Sequence, residues 1–218
     1  MKHTTLLSLV FAAVIVPSTV FAFSGYVVSA PDGTVSRGTS YDVTHFGTGQ
    51  YEIDTPQGDD VHACAYSVTA GSVNAVIPAP AIATAVGRRE NHTAVMVSTF
   101  DLNGDYADSG FHLIVQCAGN TPGGAAAVGS DGTLVRGVFA TAAAHTGTGA
   151  YTVTFANPNL STSCAYTASI GLTGSSGVSA PGFVNVAASS GGTIAVRTYD
   201  VHGNAADLGF QVYAACAL

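Results

Sequence analysis

Two arginines, Arg37 and Arg136, stand at matching places in a chain with only six cationic side chains. Matching aspartates recur as well, Asp101 with Asp200 and Asp108 with Asp207. A planar guanidinium can hold a carboxylate through two parallel hydrogen bonds and so tie two loops together. The spacing predicts that Arg37 pairs with Asp101 or Asp108, and that Arg136 pairs with Asp200 or Asp207. The rival chemistry is an arginine that receives an acidic ligand.

Asp101, Asn103, Asp105 and Asp108 place oxygen atoms at close intervals around Asn103-Gly104. Hard cations need several such oxygens, so this segment is a candidate calcium site. It is shorter than an EF-hand loop, and the second copy, Asp200-Val201-His202-Gly203-Asn204, has fewer oxygens. A plain tight turn is the competing reading, since Asn-Gly supplies positive φ angles. His45 and His145 also recur, each just before a Gly-Thr-Gly turn. They are read as hydrogen-bonding that turn, with metal or ring contact to a ligand as the alternative. Asn91-His92-Thr93 and Asn159-Leu160-Ser161 are glycosylation sequons, which matter only in a eukaryotic secretory route.

Enzyme motifs do not emerge. There is no Gly-x-Ser-x-Gly and no His-Glu-x-x-His, so neither a nucleophile elbow nor a zinc-protease helix is indicated. Lys2 is the sole lysine, which leaves a phosphate loop without its cation. The expectation is a non-enzyme, with no catalytic residue assigned.

The elements that position these residues come in two copies. Asp32-Gly33-Thr34-Val35-Ser36-Arg37-Gly38 matches Asp131-Gly132-Thr133-Leu134-Val135-Arg136-Gly137. Cys64-Ala65-Tyr66 matches Cys164-Ala165-Tyr166, Thr99-Phe100-Asp101 matches Thr198-Tyr199-Asp200, and Cys117 matches Cys216. Order is preserved throughout, so one domain has been duplicated. Tyr51-Glu52-Ile53-Asp54 and Tyr151-Thr152-Val153-Thr154-Phe155 alternate apolar with polar residues, as half-buried strands do. The runs 94–100 and 111–117 are read as a hairpin closed at 101–105. Short strands between closely spaced turns predict an all-β fold of two tandem antiparallel β-sandwich or jelly-roll-like domains. The expected boundaries are residues 23–118 and 125–218, with a turn-rich linker at 119–124.

The chain has four cysteines, two per copy. Four cysteines allow three pairings. If each copy folds alone, Cys64 bonds Cys117 and Cys164 bonds Cys216, each pair linking a central strand to the last one. A metal site lacks the Cys-x-x-Cys spacing.

Residues 1–22 open with Lys2, run apolar from Leu6 to Val16 and end at Val20-Phe21-Ala22. That pattern predicts a cleaved secretory leader. Its apolar run is shorter than the ~20 residues that span a bilayer, so no membrane insertion is expected after its removal. The leader takes the only lysine with it, leaving five arginines against thirteen acidic residues. Such a surface repels nucleic acid and anionic lipid. Only 9% of residues are charged, against about 25% in an average soluble domain.

Taken together, Gly147-Thr148-Gly149-Ala150-Tyr151-Thr152-Val153, Cys164-Ala165-Tyr166 and the closing Asp200 to Cys216 resemble a repeat of uncharacterised secreted bacterial proteins. Copy one departs from it by Ile53 in place of Val153. The resemblance implies secretion and a β fold and carries over no site; no cofactor is expected apart from the candidate calcium. The overall expectation is a secreted, non-enzymatic structural or adhesive protein of the cell surface or extracellular space. It would associate with itself or with a surface glycan. The alternative is an extracellular ligand-binding module for a glycan or other surface polymer.

Overall fold

The computed structural model describes residues 24–39, 41–55, 60–62, 64–74, 77–117, 123–157, 164–172 and 178–216. The leader at 1–22 and most of the expected linker lie outside these residues. The described chain is all-β, with sixteen strands in four antiparallel sheets. The first eight are β1 (Ser24–Ser29), β2 (Val35–Gly38), β3 (Asp42–Gly47), β4 (Gln50–Asp54), β5 (Ala65–Ala70), β6 (Ile82–Arg88), β7 (Asn91–Phe100) and β8 (Phe111–Gln116). They form two sheets, ordered β2-β1-β8-β5 and β3-β4-β7-β6. The second eight are β9 (Gly124–Val128), β10 (Leu134–Val138), β11 (Ala140–Gly147), β12 (Ala150–Phe155), β13 (Cys164–Ile170), β14 (Phe183–Ala188), β15 (Thr193–Tyr199) and β16 (Phe210–Cys216). Their sheets, β10-β9-β16-β13 and β11-β12-β15-β14, repeat the same order. β9 therefore starts inside the stretch read as linker.

Each half closes over its own core. In the first half, Val27, Leu113 and Val68 lie side by side across three strands and meet Tyr51, Ile53, Val95 and Val97 of the facing sheet. In β4, Tyr51 and Ile53 are buried while Gln50, Glu52 and Asp54 are not, the period-two pattern of a strand with one dry face. Tyr51 meets Phe111 edge-on at 5.1 Å, and Tyr151 meets Phe210 at the same 5.1 Å. Burying each such aromatic stabilises its half by about 1.5–3 kcal/mol. The buried tyrosine hydroxyls donate to main-chain carbonyls, Tyr51 to Pro31 at 2.8 Å and Tyr151 to Ser130 at 3.0 Å.

Runs 94–100 and 111–117 do not form the expected hairpin. The turn itself exists: the Asp101 N–H donates to the Asp105 carbonyl at 2.9 Å, and Gly104 has φ +91°. Yet β7 and β8 belong to opposite sheets. Beyond the turn the chain stays against the end of β7 through the Phe100–Tyr106 bridge and the Ala107 N–H, which donates to the Thr99 carbonyl at 3.1 Å. It then passes Gly110, where a Cβ would run into the carbonyls of Gly71 and Ser29. Phe111 enters the core between the sheets, whereas Phe100 lies on the other face of β7 from Val95 and Val97 and is covered by Tyr106, stacked at 4.8 Å.

Both disulfides form as the duplication implies, Cys64–Cys117 and Cys164–Cys216. They do not tie a central strand, however. β5 and β13 are edge strands, and each bridge staples its edge to the neighbouring β8 or β16.

Candidate functional site

The two halves meet through an edge and a face. On β5, the main chain at Tyr66 and Val68 turns away from β8, leaving a row of donors and acceptors that water or a partner must satisfy. The second half supplies the partners. Gln211 Oε1 accepts the Tyr66 N–H at 2.7 Å. Ser169 Oγ accepts the Val68 N–H at 2.8 Å and donates to the Val68 carbonyl at 3.1 Å. Arg136 Nε donates to the Cys64 carbonyl at 2.7 Å, and its guanidinium lies 5.4 Å from the centre of the Tyr66 ring.

These partners come from distant points of the sequence, but the sheet aligns them. Arg136 pairs with Ala127, Ala127 with Gln211, and Gln211 with Ser169. They are one rung across β10, β9, β16 and β13, and the edge of β5 lies along it. The fit is tight. Only about 10 Å³ is left between Cys64–Ala65 and Ala125, Arg136, Gly137 and Val138, no more than a single water needs. At Gly171 a Cβ would strike the Ala85 carbonyl, so a glycine lets β6 approach. Burial pushes the Tyr66 hydroxyl up to about 12, with nearby Arg136 opposing the shift.

The same rung exists in the first half, with Val28 buried and His112 Nε2 3.1 Å from the Ser72 carbonyl. Arg37, Val28, His112 and Thr69 align across β2, β1, β8 and β5. Arg37, His112 and Thr69 are exposed. The neighbouring rung sets Tyr26 beside Ile114, and these apolar side chains are 47% and 50% exposed. Ala125, which takes the place of Tyr26 in the second half, is covered.

The predicted arginine–aspartate pairs are absent. Arg37 Nη1 donates to the Val73 carbonyl at 3.2 Å instead of reaching Asp101 or Asp108. Arg136 turns to the first half rather than to Asp200 or Asp207. The physical reason is the layering: the arginines project from the outer face of one sheet, while Asp108 and Asp207 close the turns of the other. Asp108 accepts the Gly49 N–H at 2.6 Å and bonds His45 Nε2 at 3.0 Å. Asp207 repeats this with Gly149 at 2.6 Å and His145 at 2.8 Å. The recurring histidines thus act on the Gly-Thr-Gly turns through an aspartate, and His45 also stacks on Tyr51 at 4.8 Å. The Gly149 N–H, and next the His145 ring, hold the Asp207 carboxyl below its ordinary range.

Two of the four candidate calcium residues, Asp101 and Asp108, accept hydrogen bonds within the fold. Asp101 Oδ1 accepts the N–H groups of Asn103 at 2.8 Å and Asp105 at 3.0 Å, and Oδ2 takes the Asn103 amide. Asp200 does the same with His202 and Asn204. The copy with fewer oxygens also folds as a turn held by its first aspartate, and Asp108 bonds the Gly49 turn. The Asp105 N–H is the largest cause holding the Asp101 carboxyl below its usual range.

A cluster not anticipated from the sequence lies at the start of β5 and β7. Asp60, His62 and His92 bring one ligand atom each within 4.8 Å of one another. Thirty residues separate the two histidines, so spacing within one strand could not show them. The Asp60-x-His62 pair, unmatched in copy two, was the available signal. The sequon residue Asn91 is engaged, its amide donating to Asp54 at 2.6 Å and Glu52 at 3.3 Å. Asn159 lies outside the described residues.

A separate cleft of about 230 Å³ is lined by Pro31, Pro78, Pro80, Phe100 and Asp108 among others. It is smaller than the ~300 Å³ at which ligand pockets begin, and no tyrosine lines it. Among the described residues no helix is long and apolar enough to cross a membrane. Two disulfides fit an oxidising, non-cytoplasmic compartment. Comparison with family models, curated proteins and solved structures finds no match.

Proposed function

We propose that this is a secreted, non-enzymatic structural or adhesive protein whose copies associate head to tail, repeating between chains the contact that joins its own halves. One observation carries the reading. The rung Arg37–Val28–His112–Thr69 presents the same register as the rung that receives β5, and the side chains at its ends, Arg37 and Thr69, are exposed. The complementary element is β13, an edge strand like β5 but more exposed. Tyr66 is 2% exposed while Tyr166 is half-buried, and Ala65 is covered while Ala165 is open. An edge that docks on a different face makes a heterologous contact, which extends rather than closes unless its rotation completes a ring.

Sedimentation of the mature protein from micromolar to about 100 µM tests this. Size is expected to grow with concentration. Ile114→Asp should block the face, and Ala168→Pro should block the edge while sparing the ladder to β16. Each variant alone should stay monomeric, and a mixture of the two should stop at dimers. A monomer at every concentration, paired with binding to a glycan array, would favour the ligand-binding alternative.

A further inference from the structure

We propose that Asp60, His62 and His92 form a site for a zinc-like divalent transition-metal ion. The three ligand atoms lie within 4.8 Å of one another, and the two imidazoles stack with centres 4.2 Å apart. The backbone brings them together. The Val61 N–H donates to the His92 carbonyl at 2.9 Å, which pins the segment before β5 against the start of β7.

The tautomer of the neutral His62 ring follows from its partner. Nε2 lies 2.7 Å from the Arg88 carbonyl. A carbonyl only accepts, so Nε2 carries the hydrogen and Nδ1 keeps its lone pair. A ligating histidine held by a carbonyl through its other ring nitrogen is the usual outer-shell arrangement. Asp60 is oriented too. Its Oδ1 accepts the His62 N–H at 2.9 Å, while Oδ2 stands 3.9 Å from His92 Nδ1. Bonds of about 2.0–2.1 Å in a tetrahedral site would separate the ligand atoms by about 3.3 Å. His92 and Asp60, at 65% and 64% exposure, are free to close that gap around the fixed His62.

The repeat supplies an independent reason. Scaffold residues such as His45 and Asp108 recur in the second copy, whereas Asp60, His62 and His92 face Leu160, Thr162 and Gly191 there. The cluster therefore does not serve the shared fold. Two imidazoles and one carboxylate suit zinc, copper or nickel rather than calcium or magnesium. Three protein ligands leave a position open to water or to a donor from another molecule.

The test uses the mature protein, stripped with a chelator and titrated with Zn²⁺ by calorimetry, and with Co²⁺ by visible absorption. One ion per chain is expected, with affinity reduced roughly tenfold or more by His62→Ala or His92→Ala and unchanged by His202→Ala. Histidine-ring NMR of the unmodified protein gives a readout independent of variant folding: zinc should shift His62 and His92 and leave His145 and His202 in place. Absence of binding tighter than millimolar, binding that survives loss of both histidines, or ring shifts elsewhere would each overturn the assignment.

Discussion

Gln211 and Tyr66, 145 residues apart, share a buried hydrogen bond from the Tyr66 N–H to Gln211 Oε1 at 2.7 Å. It joins the two halves at a point where neither side chain meets bulk water, since Gln211 is 1% exposed. The strand edge that would otherwise attract other chains is thereby closed within the molecule.

Replacing Gln211 with Met removes that acceptor and leaves the Tyr66 N–H buried without a partner. The cost is about 1–3 kcal/mol, borne by the contact between halves rather than by either core. Calorimetric melting should change from one transition to two, with the transition of the second half least altered.

Raising the pH should loosen the packing around Tyr66, whose hydroxyl donates to the Val61 carbonyl at 2.7 Å. The Tyr66 hydroxyl ionises at about 12 in the fold and near 10 when unfolded. A raised value means that its stabilisation is complete below pH 10 and is lost as pH climbs from 10 through 12. The loss is roughly 2–3 kcal/mol at one 1.36 kcal/mol increment per pKa unit. Urea midpoints measured across that window should fall, and Tyr66→Phe should flatten the part of the slope that this residue causes.

Acid acts elsewhere. The Asp207 carboxyl, held low by the Gly149 N–H and His145, contributes only while ionised. Its contribution is present above its unfolded value near 4 and disappears as pH falls through the lower folded value. Amide exchange at Gly149 should accelerate in that range, and Asp207→Ala should accelerate it at neutral pH without unfolding the half.

Opening the disulfides removes sequence-distant closures of 53 and 52 residues. In the chain-entropy description each is worth about 4 kcal/mol. Cys64→Ala with Cys117→Ala should lower the stability of the first half by that order. It should also weaken the junction, because the bridge anchors the strand end whose Cys64 main-chain carbonyl accepts from Arg136.

A glycine in each Gly-Thr-Gly turn has a firm conformational demand. Gly49 has φ +62°, and a Cβ there would strike the Thr99 carbonyl. Gly49→Ala should cost more than about 1 kcal/mol, read as a lower urea midpoint. Gly147→Ala, with open space around it, should be near neutral.

Strands, turns and disulfides were legible because alternation, Asn-Gly pairs and the duplication are local or self-comparing signals. Tyr51-Glu52-Ile53-Asp54 behaves as its pattern says. Sheet membership was not legible: the segment from Asp101 to Gly110 looks like a hairpin turn, and only crowding by the Ser29 and Gly71 carbonyls reveals a crossing between layers. Recurrence marked Arg37, Arg136, Asp108 and Asp207 as residues worth keeping, but it carries no information on partners. The rung Arg136–Ala127–Gln211–Ser169 and the trio Asp60, His62 and His92 are assembled by tertiary register from separated segments, which no local spacing encodes.

The unequal use of one rung gives the two copies different evolutionary freedom. A change at position 127, 136, 169 or 211 is judged by whether the molecule holds together. A change at the exposed positions 37, 69 or 112 alters chiefly what the molecule meets. Variation among natural forms should therefore gather on the first copy's outer sheet, so that identical ancestors end as one anchor and one changeable face.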